Sequence, residues 1–274
     1  ETGKVTPSTS VATAHGRLTI ANYTIRDVHP APEMTVAEIL QKSSNVGAAK
    51  LALAMPREAM WDFYKRVGFG EVPQLGFPGA AAGKLRHYRT WRPIEQATMA
   101  YGHGISVSLA QLAHAYTVFA RDGELVPLTL VKTGAGASGE KILSTATARA
   151  VRSMLELAVQ PGGTGPRARI MGWRVGGKTG TAHKQENGGY AAHKYLSSFV
   201  GIAPASAPRL ENADMIDEPA DGHLAPQHVI TRIGQIAEAA VQAQGELRSP
   251  PQLPSSSRSG CGRRGAATIR SHWR

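Results

Sequence analysis

The sequence predicts an α+β domain with helices packed on an antiparallel sheet. Two observations carry that expectation. Between residues 35 and about 160, apolar residues recur at helical spacing behind capping residues. From about 170 to 217 the pattern changes to three successive strand-like runs parted by turn residues. No segment repeats at a fixed period, which excludes a solenoid or a propeller.

Residues 1–34 read as turns and short extended pieces, with strands at Arg17-Leu18-Thr19-Ile20 and Tyr23-Thr24-Ile25. Thr35 with Glu38 three residues on is a capping box, so a helix starts there. It runs through Ile39 and Leu40 and is interrupted at Ser43-Ser44-Asn45; a second apolar run, Val46 to Met55, follows. Pro56 sits where a first helical position would be, Met60, Phe63, Tyr64 and Val67 keep helical spacing, and Gly68 closes that helix. Residues 70–93 read as a loop rich in Gly and Pro. Ser108 opens a helix carrying Leu109, Leu112, Ala113 and Tyr116 that ends near Asp122-Gly123. Val126 to Val131 reads as a strand. Ser144 caps a helix with Val151, Met154, Leu155 and Ala158, closed by Pro161-Gly162-Gly163. The three later strands are expected at Ile170–Ala182, Tyr195–Pro204 and Arg209–Asp217, and a further helix at 229–244.

The chain has 274 residues, 42% of them hydrophobic and 19% charged, enough for a sizeable core and unlike a disordered polyelectrolyte. Its net charge of +11 raises nucleic acid or an anionic surface as a partner. That excess is uneven. Residues 245–274 carry six Arg against one acid, and 13 of these 30 residues are Gly, Ser or Pro, so this tail is expected to be disordered. The one cysteine, Cys261, lies in the same tail, which rules out an intrachain disulfide and a cysteine zinc site. No run of 18 apolar residues is present, and no signal peptide is visible.

Gly172 to Thr179 fits G-x-x-x-x-G-K-[ST], the phosphate-binding loop of nucleotide hydrolases. That loop needs a helix directly after it, so that helix N-terminal amides face the phosphates. Here Gly180, Thr181 and a Gly-rich turn follow, which do not begin a helix. The same residues also read as K-T-G, Lys178-Thr179-Gly180, with Thr181 next. A lysine on a strand edge offers a fixed cation to a substrate carboxylate, Gly180 lets a substrate approach the backbone, and the Thr181 N–H can serve an oxyanion. Alone, K-T-G also fits an ordinary polar strand. Ser43-Ser44-Asn45 supplies an S-x-N, whose hydroxyl can relay a proton and whose amide can orient a peptide bond; alone it fits a polar kink between helices. S-x-N some 130 residues ahead of K-T-G, with helices between and strands after, is the more specific pattern.

Longer segments join these motifs: Gln41 to Gly47, Lys50 to Pro56, Tyr101-Gly102-His103-Gly104-Ile105-Ser106-Val107, Pro161 to Gly165, Lys178 to Ala182, and Gly201 to Ala205. Over residues 1–222 the chain resembles the division-specific class B penicillin-binding proteins (penicillin-binding protein 3) of Gram-negative bacteria. The resemblance implies the serine D,D-transpeptidase / β-lactamase-like fold and an enzyme that cross-links peptidoglycan stem peptides through an acyl-serine, with β-lactams attacking the same serine. Carried over by position, it implies Ser43 as a proton relay, Asn45 on the substrate amide, and Lys178 as carboxylate anchor and electrostatic aid to Ser43. Thr179 would contact the carboxylate, beside Gly180, and Thr181 would offer an oxyanion N–H. It also implies divisome proteins and a septal glycosyltransferase as partners, no cofactor or metal, no nucleic acid, and a periplasmic domain on an inner-membrane anchor that this sequence does not contain.

Two departures stand out. The family's nucleophile motif S-x-x-K belongs upstream of S-x-N, and residues 1–42 contain none; Ser138-Gly139-Glu140-Lys141 follows S-x-N and reads as a chance match. The chain therefore reads as a piece that starts just after its nucleophile, inactive alone. Second, Glu211-Asn212-Ala213-Asp214 stands where the family has apolar strand residues, and after about Gly222 the family pattern gives way to a divergent extension, residues 223–274. The alternatives are a P-loop nucleotide hydrolase at Gly172–Thr179 and a basic nucleic-acid-binding module using the Arg-rich tail. His183, His193 and His103 lack zinc-protease spacing, and no G-x-S-x-G elbow occurs.

Overall fold

A computed structural model describes residues 1–131, 138–186 and 189–219. Its α+β architecture has six α-helices among these residues: α1 (Val36–Lys42), α2 (Asn45–Leu53), α3 (Arg57–Arg66), α4 (Pro93–Met99), α5 (Leu109–Ala120) and α6 (Thr145–Ala158). Nine strands accompany them. β1 (Ser10–Ala12) pairs with β4 (Glu33–Thr35), β2 (Arg17–Ile20) with β3 (Tyr23–Arg26), and β5 (Glu124–Leu125) with β6 (Glu140–Lys141). The main sheet is an antiparallel meander, β7 (Gly176–Glu186), β8 (Gly189–Ala203) and β9 (Leu210–Asp217), in the order β7-β8-β9. Among the described residues β7 is thus an edge strand.

Local chemistry starts the helices where the sequence places them. Thr35 accepts from Glu38 N at 3.2 Å while its own N–H donates to Glu38 Oε2 at 2.8 Å, the reciprocal capping box. Ser108 with Gln111, and Ser144, cap α5 and α6. Helix α6 lies against β7, α5 against β9, and α1 against α6, so the sheet is covered by the helices that carry the apolar periodicity. Phe199, fully buried on β8, centres a cluster with Val159, Ala168, Val175 and Ala203. A second cluster joins Val118 of α5 to Val67, Ile142 and Leu143.

Several boundaries differ from expectation. Val126–Val131 is not a strand; β5 ends at Leu125, and Leu130 and Val131 are 65% and 72% exposed, with no partner strand among the described residues to bury them. Residues 170–175 are turn and coil, not strand, because Gly172 takes φ +81° and the Trp173 N–H closes a turn on Ile170 O at 3.0 Å. Pro56 stands one place earlier than read, as the N-cap of α3. Helix α4 was not anticipated; Pro93 fills its first turn and Glu95 accepts from Arg92 N at 2.7 Å. Strand β9 forms in full despite Glu211 and Asp214, in antiparallel register with β8 from Leu196↔Asp217 to Ala203↔Leu210. The helix expected at 229–244 and the disorder expected from 245 lie outside the described residues.

Candidate active site

Ser43 ends α1 in the left-handed conformation, φ 56° and ψ 49°. That backbone turn breaks the helix and lets a new one start two residues later. Ser44 caps α2, accepting from Gly47 N at 2.9 Å. Asp27, at the end of β3, fixes the break from below: it accepts from Ser44 Oγ at 2.6 Å and from Val46 N at 2.9 Å. Asn45 donates from Nδ2 to Arg26 O at 3.0 Å, which orients its amide beside Ser43. Ser44 is buried, whereas the neighbouring Ser43 is exposed and open to a reactant.

Lys178 comes from the third position of β7. Its Nζ donates to Ser43 Oγ at 2.9 Å and to Thr179 O at 2.9 Å. Burial pushes its pKa down to about 8, because desolvation disfavours the ammonium. The lysine is still mainly cationic at neutral pH and close enough to its proton-exchange range to assist a neighbouring hydroxyl.

Thr179 Oγ1 meets Thr164 Oγ1 at 2.8 Å, so the Pro161–Gly165 loop braces β7 beside Lys178. At Gly180 a β-carbon would stand 2.5 Å from Ser198 Oγ, so that hydroxyl would have to turn aside to admit one. Gly177 is tighter still, with Val200 O 2.8 Å from its would-be β-carbon and the Phe199 ring closer. Thr181 is exposed further along the strand. The structure thus joins Lys178 to Ser43, sets Asn45 two residues further on with its amide on Arg26 O, and places Thr179, Gly180 and Thr181 along the edge strand. Sequence reasoning gave no role to Asp27 or Thr164. Nothing local marks Asp27, whereas Thr164 lies in a matched segment that could have drawn attention.

Other candidates fall elsewhere. Strand β7 continues through Glu186, so no helix N-terminus follows Gly177-Lys178-Thr179 and a phosphate-binding loop is not formed. Lys141 of the S-x-x-K look-alike donates to Asp122 O and Thr145 Oγ1, far in sequence and bonding from Ser43. Desolvation, then the nearby His183, lower the pKa of half-buried His103. Among the described residues no three His, Cys, Asp or Glu side chains converge as a metal would require.

A lysine on a sheet edge, bonded to a serine hydroxyl at a break between two helices, is the arrangement of the active-serine class of penicillin-recognising folds. The comparisons with known proteins are specific. Residues 1–235 match the penicillin binding protein transpeptidase domain, and the chain belongs to that family. It is 48% identical over 195 residues to the "probable peptidoglycan D,D-transpeptidase PenA" of Neisseria gonorrhoeae, covering 71% of this chain and 34% of that protein. It is 39% identical over 203 residues to the peptidoglycan D,D-transpeptidase FtsI of Escherichia coli, covering 74% of this chain and 34% of FtsI. The apo transpeptidase domain of Burkholderia pseudomallei penicillin-binding protein 3 superposes with a TM-score of 0.86 at 47% identity, over 92% of this chain and 76% of that one. The chain therefore spans about a third of the length of these two curated relatives.

Proposed function

We propose that this chain forms the S-x-N and K-T-G side of the active site of a peptidoglycan D,D-transpeptidase that cross-links stem peptides during septal cell-wall synthesis. The observation that carries the proposal is the Lys178–Ser43 hydrogen bond, 2.9 Å, beside the free edge of β7. A peptide can add to that edge as a further antiparallel strand. Its terminal D-Ala carboxylate would meet Lys178 and the Thr179 hydroxyl, and Asn45 would hold its amide. The scissile carbonyl would develop negative charge towards the Thr181 N–H.

The chemistry is acyl transfer. A serine hydroxyl attacks the D-Ala-D-Ala carbonyl, the terminal D-Ala leaves as its amine after gaining a proton, and an amine from a neighbouring strand resolves the ester. Ser43, fed by Lys178, is placed to pass that proton. β-Lactams would acylate the same nucleophile. No S-x-x-K precedes Ser43 in these 274 residues, so the chain alone would hold ligand without being acylated. By family, divisome proteins and a septal glycosyltransferase are its partners, and the domain works in the periplasm on an inner-membrane anchor. No described helix is itself long and apolar enough to cross a membrane.

Two measurements test this reading. A peptide ending in D-Ala-D-Ala should bind the full chain in calorimetry, and Lys178→Ala or amidation of the peptide's terminal carboxylate should abolish that binding. A fluorescent penicillin should leave no covalent label; a stoichiometric label on any serine would sink the assignment of the nucleophile outside these residues.

A further inference from the structure

The hairpin β2–β3 stands on the side of the site away from β7. Ser43 bonds Lys178 of β7, whereas Asn45, two residues on, bonds Arg26 O of β3 at 3.0 Å. The S-x-N turn therefore has β7 on one flank and β3 on the other. The inner face of the hairpin packs Leu18, Ile20 and Ile25 into one cluster with Val46 and Ala49 of α2. Its base is locked. Gly16 takes φ +74°, its would-be β-carbon lies 2.7 Å from Pro30 Cβ, and the Asp27 N–H donates to Gly16 O at 3.0 Å.

The outer face of the hairpin breaks a rule of strand pairing. Side chains alternate along a strand, so Arg17, Thr19, Thr24 and Arg26 share that face, and all four are exposed. Thr19 and Thr24 meet hydroxyl to hydroxyl at 3.1 Å. Two positions further from the turn, Arg17 stands directly opposite Arg26. Directly opposed side chains start about 5 Å apart, and like charges so placed repel. Neither guanidinium has an ion-pair or hydrogen-bond partner among the described residues. Residues 14–30 contain a single acid, Asp27, and its carboxylate is taken by Ser44 Oγ and Val46 N. Two uncompensated guanidiniums held side by side on a fixed hairpin have the chemistry of an oxyanion clamp, since each presents a planar fork of donors that matches a carboxylate.

We propose that the Arg17–Arg26 pair binds the terminal carboxylate of the second, amine-bearing peptide and so holds the acceptor on the β3 flank of Ser43. This rests on the transpeptidase reading above. Cross-linking brings two peptides to one serine ester. The donor takes the β7 edge, which leaves the β3 flank to the acceptor. An acceptor stem peptide has an amine to resolve the ester and a terminal carboxylate of its own. Charge complementarity selects that end of it, because the clamp carries two positive charges and no acid of its own.

Calorimetry on the full chain tests this with acetyl-Ala-Ala-Lys-D-Ala, whose only charges are a side-chain amine and the terminal carboxylate, and with its C-terminal amide. The acid should bind about tenfold more tightly than the amide, as expected for charge-assisted contacts to one carboxylate. Arg17→Gln or Arg26→Gln should cut that preference to about threefold, and the two together should erase it. In nuclear magnetic resonance the Nε–H signals of both arginines should shift with the acid and stay in place with the amide. Equal binding of acid and amide, a preference that survives the double substitution, or arginine signals that do not move would each overturn the acceptor site. Tighter binding of inorganic phosphate than of the acid peptide would overturn it too, by making the clamp a phosphate site. Lys178→Ala separates the two readings. The acid–amide preference should persist in that variant while the D-Ala-D-Ala peptide no longer binds. If the preference is lost with Lys178 instead, the carboxylate sits on β7 and only the acceptor site falls. If the D-Ala-D-Ala peptide fails to bind the unaltered chain, the transpeptidase reading falls and the acceptor assignment with it.

Discussion

The Lys178 ammonium donates to the Ser43 hydroxyl at 2.9 Å across 135 positions of sequence. Neither residue could reach the other without two local devices. The left-handed turn at Ser43 exposes its hydroxyl at the end of α1, and the edge position of β7 leaves Lys178 free to reach towards it. The contact holds a cation partly out of water, and that has a thermodynamic signature.

Lys178 should make stability rise with pH. Its folded pKa of about 8 lies below the 10.5 of free lysine. Between those values the unfolded chain holds a proton that the folded chain has lost, so stability increases as pH climbs from 8 to 10.5. Below 8 the full cost of burying the ammonium is present, on the order of 3 kcal/mol. Lys178→Met, of similar length and without charge, should therefore be more stable than the parent at pH 7 and close to it at pH 10.5. Urea unfolding at the two pH values measures the gap; a gap that widens with pH would contradict the burial of the charge.

Asp27 should act through position rather than chemistry. It accepts from Ser44 Oγ and Val46 N and so anchors both the cap and the first turn of α2. Asp27→Ala removes both acceptors and leaves buried Ser44 with one fewer partner. A loss of about 1–2 kcal/mol is expected from such a cap. Binding of the D-Ala-D-Ala peptide should weaken as well, because Ser43 and Asn45 flank the released serine. Thermal unfolding and peptide calorimetry on one variant check both effects.

What the sequence revealed and what it hid divides by the range of the interaction. The caps at Thr35, Ser108 and Ser144 were legible because donor and acceptor lie three residues apart. Helix α4 was missed because only Gln96, Ala97 and Met99 of its seven residues are buried, too few to show a period. Val126–Val131 has strand-forming residues but no partner strand among the described residues, which composition cannot reveal. At the site, S-x-N and K-T-G were visible as motifs, and their meeting was implied by family resemblance rather than by spacing. The Asp27–Ser44 contact left no mark, since a lone Asp in a loop carries no record of what it touches, and the matched segment around Thr164 did not name Thr179 as its partner.

Gly177 and Gly180 should differ in their tolerance of alanine. At Gly177 an added β-carbon meets the Phe199 ring and the backbone oxygen of Val200 at 2.8 Å, neither of which can move without disturbing the buried sheet. At Gly180 the obstacle is the Ser198 hydroxyl alone, the end of a small side chain. Gly177→Ala should cost about 3 kcal/mol or more, Gly180→Ala about 1 kcal/mol. Ser198→Ala should restore most of the second loss and none of the first. Denaturant midpoints of the three variants and the double Gly180→Ala/Ser198→Ala decide it.

Glu211 should behave as the opposite of Lys178. Both its carboxylate oxygens are buried without a hydrogen-bond partner, and desolvation pushes its pKa up to about 8. After desolvation, it also helps to raise the pKa of Tyr116 to about 12. Between 4.5 and 8 the folded chain keeps a proton that the unfolded chain has released, so this group lowers stability as pH rises through that window. The penalty, on the order of a few kcal/mol, is complete above pH 8 and absent below 4.5. Glu211→Leu puts an apolar side chain on the same face of β9. It should raise stability most at pH 8 to 9 and by little at pH 4.5, where the acid is already neutral. Calorimetric midpoints of parent and variant across that range would show the difference growing with pH. A difference independent of pH would mean that the gain comes from packing alone and that Glu211 is not held in its neutral form.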